Sequence, residues 1–148
     1  MELLDFQEKL ETKTVDGKSF IFCIIRKKWL VLQPEEIVRQ LYLHFLTNSL
    51  GYSQHKISVE RGLKINGIMR RFDILVYDGS ISPLILVECK SMFVDINQST
   101  MQQVGQYNLP LKAQYLVLTN GRKTVNCELN NDKTSYEFIN RLPKNEKK

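Results

Sequence analysis

Residues 56–90, "KISVERGLKINGIMRRFDILVYDGSISPLILVECK", decide the fold. Asn66 and Gly67 are the strongest hairpin signal in the chain, because a two-residue turn needs positive φ at both positions and these residues tolerate it. The runs on either side, "KISVERGLKI" and "IMRRFDILVY", are therefore read as antiparallel strands. A looser loop, "DGSIS", leads to "PLILVECK", whose near-continuous apolar stretch suits a strand buried on both faces. That strand then breaks its own pattern, because Glu88 and Lys90 follow the apolar run with only Cys89 between them.

Strand registers follow from the turns. The Asn66–Gly67 turn pairs Ile65 with Ile68 and sets Glu60 opposite Asp73. Pairing Tyr77 with about Leu84 across the next loop sets Asp73 opposite Glu88. With no bulge, three acids then lie side by side on one face, neighbours roughly 5 Å apart. Two carboxylates at that distance repel by about 3 kcal/mol at an effective dielectric near 20. Lys90, on the face of Glu88, offsets part of this, and a divalent cation would offset the rest; clustered oxygen ligands are what magnesium prefers. A plainer reading competes on equal terms. Lys64, Arg70 and Arg71 share these strands, so the acids can also be salt-bridge partners at a sheet edge.

Outward from this meander, residues 8–25 read as an N-terminal hairpin turning at Asp16 and Gly17. A helix of roughly residues 34–50 follows, with Pro34 at its first position, Glu35 and Glu36 in its first turn, and Ile37, Leu41, His44 and Phe45 on one face. A second helix, about 98–109, is stopped by Pro110. It links the "PLILVECK" strand to "AQYLVLTNG", which is expected to run parallel to it. "KTVNCEL" and "SYEFIN" form a closing hairpin. At 148 residues the chain is read as one domain, residues 1–148. Three widely spaced cysteines, Cys23, Cys89 and Cys127, suggest neither a disulfide framework nor a zinc site. The charge of +5 is compatible with a polyanionic partner without demanding one. There is no membrane-length apolar run, and "MELLDFQEKL" has acids where a signal peptide has bases, so a soluble cytoplasmic protein is expected.

Asp73, fourteen intervening residues, then Glu88, Cys89 and Lys90 resemble the D…(D/E)xK signature of the PD-(D/E)xK nuclease superfamily, on strands two and three of a helix-strand-strand-strand-helix-strand core. The chain is also similar to the N-terminal nuclease domain of type I restriction enzyme R subunits. In that domain an acid in the first helix precedes an arginine, and a QxxxY motif lies in the second. Here "PEEIVRQ" supplies Glu36 and Arg39, and "QVGQY" supplies Gln103 and Tyr107, four apart and so on one helical face. The resemblance covers about residues 28–128. Phe72 stands where the superfamily's name has proline. R subunits carry a helicase motor, but "TNGRKT" lacks the upstream glycine and GK step of a GxxxxGK[ST] loop, so no translocation is expected of this chain by itself.

The resemblance implies an α/β, restriction-endonuclease-like fold: a mixed sheet with an αβββαβ core, plus the N-terminal hairpin and C-terminal strands. It implies a magnesium-dependent DNA endonuclease, with manganese able to substitute. Asp73 and Glu88, with the main-chain carbonyl of Cys89, would hold the metal, and Glu36 would complete the cluster from the helix. Lys90 would orient the attacking water or stabilise charge on the phosphate, and Gln103 and Tyr107 would position the scissile strand. Glu60 joins the metal set through the register arithmetic alone. Arg39, Lys64, Arg71, Arg122 and Lys123 are the candidate DNA contacts. Beyond DNA, restriction-system or helicase subunits and a homodimer are the expected partners. Two other readings stay open: a non-catalytic nucleic-acid-binding or assembly module that keeps the fold, and a purely structural protein-interaction domain.

Overall fold

The computed structural model describes residues 2–145. After a 3-10 helix, Glu2–Lys9, come β1 (Thr12–Val15), β2 (Lys18–Cys23) and β3 (Lys28–Val31), then α1 (Pro34–His44) with a π turn, Phe45–Ser49, at its end. The chain continues as β4 (Ile57–Ile65), β5 (Ile68–Tyr77), β6 (Pro83–Cys89), α2 (Gln98–Asn108), β7 (Tyr115–Thr119), β8 (Thr124–Leu129) and β9 (Tyr136–Ile139). β1, β2 and β3 form a small antiparallel sheet; the others form a six-stranded sheet in the order β4-β5-β6-β7-β8-β9, in which β6 and β7 are parallel. This is the mixed α/β, restriction-endonuclease-like architecture. Two expectations are corrected. The first hairpin starts at Thr12 rather than near residue 8, and "KWLV", between that hairpin and the helix, is a third strand where none is expected. Its pattern is weak because Lys28, Trp29 and Val31 are exposed, and pairing with β2 is what makes it a strand. Among the described residues, no helix is long and apolar enough to cross a membrane.

The six-stranded sheet is covered on both faces. Ile85, Val87 and Cys89 of β6 join Ile74, Val76 and Val117 in a core shared with Val38, Leu41 and Tyr42 of α1. Leu86 points the other way, into a core with Phe72, Leu75, Leu116, Leu118 and Met101 of α2. A strand with helices on both sides buries every residue, which is why "LILV" shows no polar alternation. α1 is more enclosed than the single expected stripe: Glu36 and every residue from Val38 to Leu43 are buried. It packs against residues 2–9 and β2 as well as β6.

The register of the first hairpin is the one the turn dictates. Asn66 and Gly67 take φ of 53° and 79°, and Ile65 pairs with Ile68. At Glu60 and Asp73, however, both strands leave the ladder together. Pairing runs from Ile57↔Val76 to Val59↔Ile74, skips Glu60 and Asp73, and resumes at Arg61↔Phe72. Glu60 has φ of 46°, a left-handed conformation costly for a residue with a Cβ. The interruption shifts the alternation, so Phe72 lies in the α2-side core while Ile74 and Val76 lie in the α1-side core. β5 and β6 pair from Val76↔Ile85 to Ile74↔Val87, and a bulge at Val76/Tyr77 pairs Tyr77 with Pro83 rather than Leu84. The ladder therefore stops one residue short of Asp73 and Glu88.

Candidate active site

The N-terminal turns of α1 carry an unusual buried polar row. Glu36, Arg39 and Gln40, at positions i, i+3 and i+4, fall on one helical face and are 7%, 4% and 0% exposed. Arg39 Nη1 donates to Glu36 Oε1 at 2.7 Å and lies 2.9 Å from Glu60 Oε1, while Nη2 donates to Asp73 Oδ1 at 3.3 Å. Gln40 Nε2 donates to Glu36 Oε2 at 3.0 Å, and Arg26 Nη1 reaches Glu60 Oε2 at 3.1 Å. Burial alone would lower the pKa of the Arg39 guanidinium, but Glu36, Asp73 and Glu60 outweigh it, so the pKa is raised and the group stays charged. One buried cation thus holds three carboxylates from one helix and two strands.

Asp73 lies where the ladder opens. Its Oδ1 takes Arg39, and its Oδ2 accepts the main-chain N–H of Cys89 at 2.8 Å. The carboxylate fills the gap between β5 and β6, tying one strand to the other just past Glu88. The Cys89 thiol is buried and its pKa is raised by that burial first and by Asp73 next, so this residue offers an ion its main chain rather than a thiolate.

Glu88 has a different environment. It alternates with Val87 and Cys89 and stands beside Leu118 in the parallel ladder, which places it on the α2 side of the sheet. The three acids are therefore not on one face as expected, because the interruption at residues 60 and 73 turns Glu60 and Asp73 towards Arg39. Burial raises the Glu88 pKa to about 7, and the charge of Asp73 adds to it; Lys90 opposes, Glu35 adds a little more, and a contact with Asn108 of α2 opposes slightly. Among the described residues, neither Glu88 nor Lys90 enters an ion pair. The Lys90 main chain is fixed by its N–H to Thr119 O at 2.8 Å.

Three of the expected ligands are engaged by protein donors. Both oxygens of Glu36 and both of Glu60 are held by arginine or glutamine, and those of Asp73 by Arg39 and the Cys89 N–H. Among the described residues, no three or more His, Cys, Asp or Glu are gathered as a metal site. Asp73 is half-buried with Arg39 on one oxygen, whereas Glu88, on the other face of the sheet, enters no ion pair among the described residues. Magnesium keeps several waters and is commonly bound through one or two carboxylates, a need that Glu88, with or without Asp73, has the right chemistry to meet.

The remaining candidates divide by location. Gln103 and Tyr107 are exposed on α2, and Tyr107 carries the Arg70 guanidinium 4.5 Å above its ring while its carbonyl accepts from Arg70 Nη1 at 2.6 Å. Lys64, Arg71, Arg122 and Lys123 are exposed, although Lys123 Nζ also donates to Ile96 O at 3.0 Å. Arg39 is turned inward on carboxylates, a placement that does not suit contact with DNA. A cavity of about 740 Å³ lies between α2 and β9; Met101, Gln106, Tyr136 and Phe138 line it, and none of the acids does. Sequence reading missed Gln40, Asn108 and Glu35. The first two are polar residues at core positions of their helices, a signal that the helical period contains but that an exposed polar face mimics.

The family model described as type I restriction enzyme R protein N terminus (HSDR_N) matches residues 34–143, from the first residue of α1 to beyond β9, and the chain belongs to that family. No curated protein matches the chain.

Proposed function

We propose, taking that membership as the premise, that the chain is a metal-dependent DNA nuclease that hydrolyses phosphodiester bonds at the end of β6. The observation that carries this reading is Glu88: a half-buried carboxylate, its pKa raised by burial and next by Asp73, with Lys90, which enters no ion pair among the described residues, two residues on. A protein gains no stability from such a group, and sites of chemistry are where such groups are kept. Asp73 and Glu88 would hold magnesium or manganese with the Cys89 carbonyl. The ion would polarise a phosphoryl oxygen and lower the pKa of a bound water. Lys90, a compact charge at the strand end, would hold that water or a phosphate oxygen. Arg39 acts through Asp73: it fixes one carboxylate oxygen, while the Cys89 N–H fixes the other. Gln103 and Tyr107 on α2, with Lys64, Arg71, Arg122 and Lys123, would guide the DNA strand. Restriction-system or helicase subunits would supply the motor. A homodimer would supply a second cut, and the cytoplasm would be its compartment.

A second reading rests on the Arg39 cluster. A site whose Asp73 already has a protein cation, and whose Glu36 and Glu60 are fully engaged, is also what a non-catalytic DNA-binding or assembly module would retain. Plasmid cleavage separates the two. Magnesium- or manganese-dependent nicking that Lys90→Ala abolishes and Lys28→Ala, on the small sheet, leaves intact supports the nuclease. DNA binding indifferent to metal and to Lys90, without cleavage, supports the module.

A further inference from the structure

The main sheet does not contain all of its longest hairpin. β5 loses its β6 partner beyond Ile74, yet β4 and β5 stay paired through Arg61↔Phe72, Gly62↔Arg71, Leu63↔Arg70, Lys64↔Met69 and Ile65↔Ile68. Five paired positions at about 3.4 Å per residue give a two-stranded ribbon that reaches roughly 15 Å past Asp73. Arg70 pins its base to α2 through Tyr107.

The composition of this ribbon is one-sided. From Arg61 to Phe72 the sequence is "RGLKINGIMRRF", with four cations, no acid, and no aromatic residue before Phe72. Phe72 itself is buried in the α2-side core. Lys64 and Arg71 are exposed, and beside the turn Ile68 and Met69 are 57% and 59% exposed. Phe72 and Arg70 face the α2 side, so alternation places Arg71 and Met69 on the opposite face, with Lys64 across from Met69. Met69 lies back over Gly62, where an added Cβ would meet its Sδ at 3.0 Å.

We infer that this ribbon, residues 62–71, is an arm that grips duplex DNA, Lys64 and Arg71 meeting phosphates and the Ile68–Met69 tip entering a groove, so that the backbone is presented to Asp73 and Glu88. The inference rests on the nuclease reading and names its substrate as duplex. An antiparallel ribbon matches the width of the major groove, and apolar side chains at the tip of a basic element are how architectural proteins seat themselves on a duplex. Single strands are gripped instead by aromatic platforms, which this ribbon lacks. A protein partner for so basic a tip would have to bring matching acids, whereas a duplex brings its charge at every step.

The test measures duplex affinity against salt for the full chain carrying Lys90→Ala, without divalent metal, so that cleavage does not enter. Lys64→Ala/Arg71→Ala is expected to weaken binding at least tenfold near 0.1 M salt and to reduce the slope of log K against log salt by about 2. Ile68→Ser/Met69→Ser is expected to weaken binding several-fold with the slope unchanged. Lys13→Ala/Lys28→Ala, on the small sheet, should change neither. The inference is overturned if the arm variants bind as the parent does, if the small-sheet variant loses as much, or if a single strand competes better than a duplex. Wild-type cleavage of plasmid alongside unimpaired arm variants removes the arm and leaves the nuclease. A wild-type chain that neither cleaves nor binds duplex removes both.

Discussion

Asp73 Oδ2 accepts the main-chain N–H of Cys89 at 2.8 Å, so a side chain of β5 makes the contact between the strands that their ladder omits. The acid at the centre of the site is a structural link as well as a candidate ligand. Asp73→Asn keeps one oxygen for that contact but weakens the pull on Arg39. It is expected to abolish cleavage while costing only about 1–2 kcal/mol of stability, read as a small shift in the urea midpoint.

Glu88 should destabilise the fold that contains it. Its pKa is raised to about 7 from an ordinary 4.5, so the native state holds a proton that the unfolded chain has released. This contribution is fully present below about pH 4.5 and is lost as pH rises through about 7. Glu88→Gln should therefore be about 3 kcal/mol more stable than the wild type at pH 8, where the carboxylate is charged, and no more stable at pH 4. Urea titrations at the two pH values check this; equal stability at pH 8 would remove the argument that Glu88 is strained.

On the proposed metal reading, the same shift sets the pH dependence of manganese affinity. A divalent ion needs the carboxylate, and near pH 7 about half of the Glu88 population is protonated without one. Manganese affinity by calorimetry should rise up to tenfold between pH 6 and pH 8, with protons released on binding, and Glu88→Gln should flatten the profile.

Arg39 is the residue whose loss should cost most. Arg39→Met leaves the carboxylates of Glu36, Glu60 and Asp73 facing one another without their shared cation, so a loss of about 3–5 kcal/mol is expected in equilibrium unfolding. Arg39→Lys should recover only part of it, because an ammonium lacks the planar fork that reaches three acids at once.

Two glycines should respond in opposite senses. Gly121 has φ of 87°, and a Cβ there would lie 3.3 Å from Val38 Cγ2 and 3.5 Å from Met92 Cγ, so Gly121→Ala should destabilise by more than about 1 kcal/mol. Gly105 sits inside α2, with its nearest neighbour, Leu116 Cδ2, at 4.0 Å, so Gly105→Ala should stabilise by roughly 0.5–1 kcal/mol. Thermal unfolding of the two variants decides both.

The order of elements and the first register were legible because they are local: Asn66 and Gly67 dictate a turn, and a turn dictates its pairs. The break at Glu60 and Asp73 was not, since nothing in "VERG" or "RFDI" announces that two facing residues will both leave the ladder. Their partner is Arg39, thirty-four positions before Asp73. By its sequence Arg39 is a cation in the second turn of a helix, where an exposed face would hold it equally well. Its burial depends on residues 2–9, β2 and the sheet closing around α1, contacts that a helical period does not contain. Glu88 was found by its spacing to Lys90, but Glu60 and Asp73 were expected on its face because register arithmetic assumes unbroken alternation.

Arg39 also bears on how the protein is made. Where acids converge on a metal alone, assembly waits for the ion, and a chelator unfolds the product. Here the counter-ion of Glu36, Glu60 and Asp73 is encoded in the chain, so newly synthesised molecules can reach their final shape in a cation-poor solution.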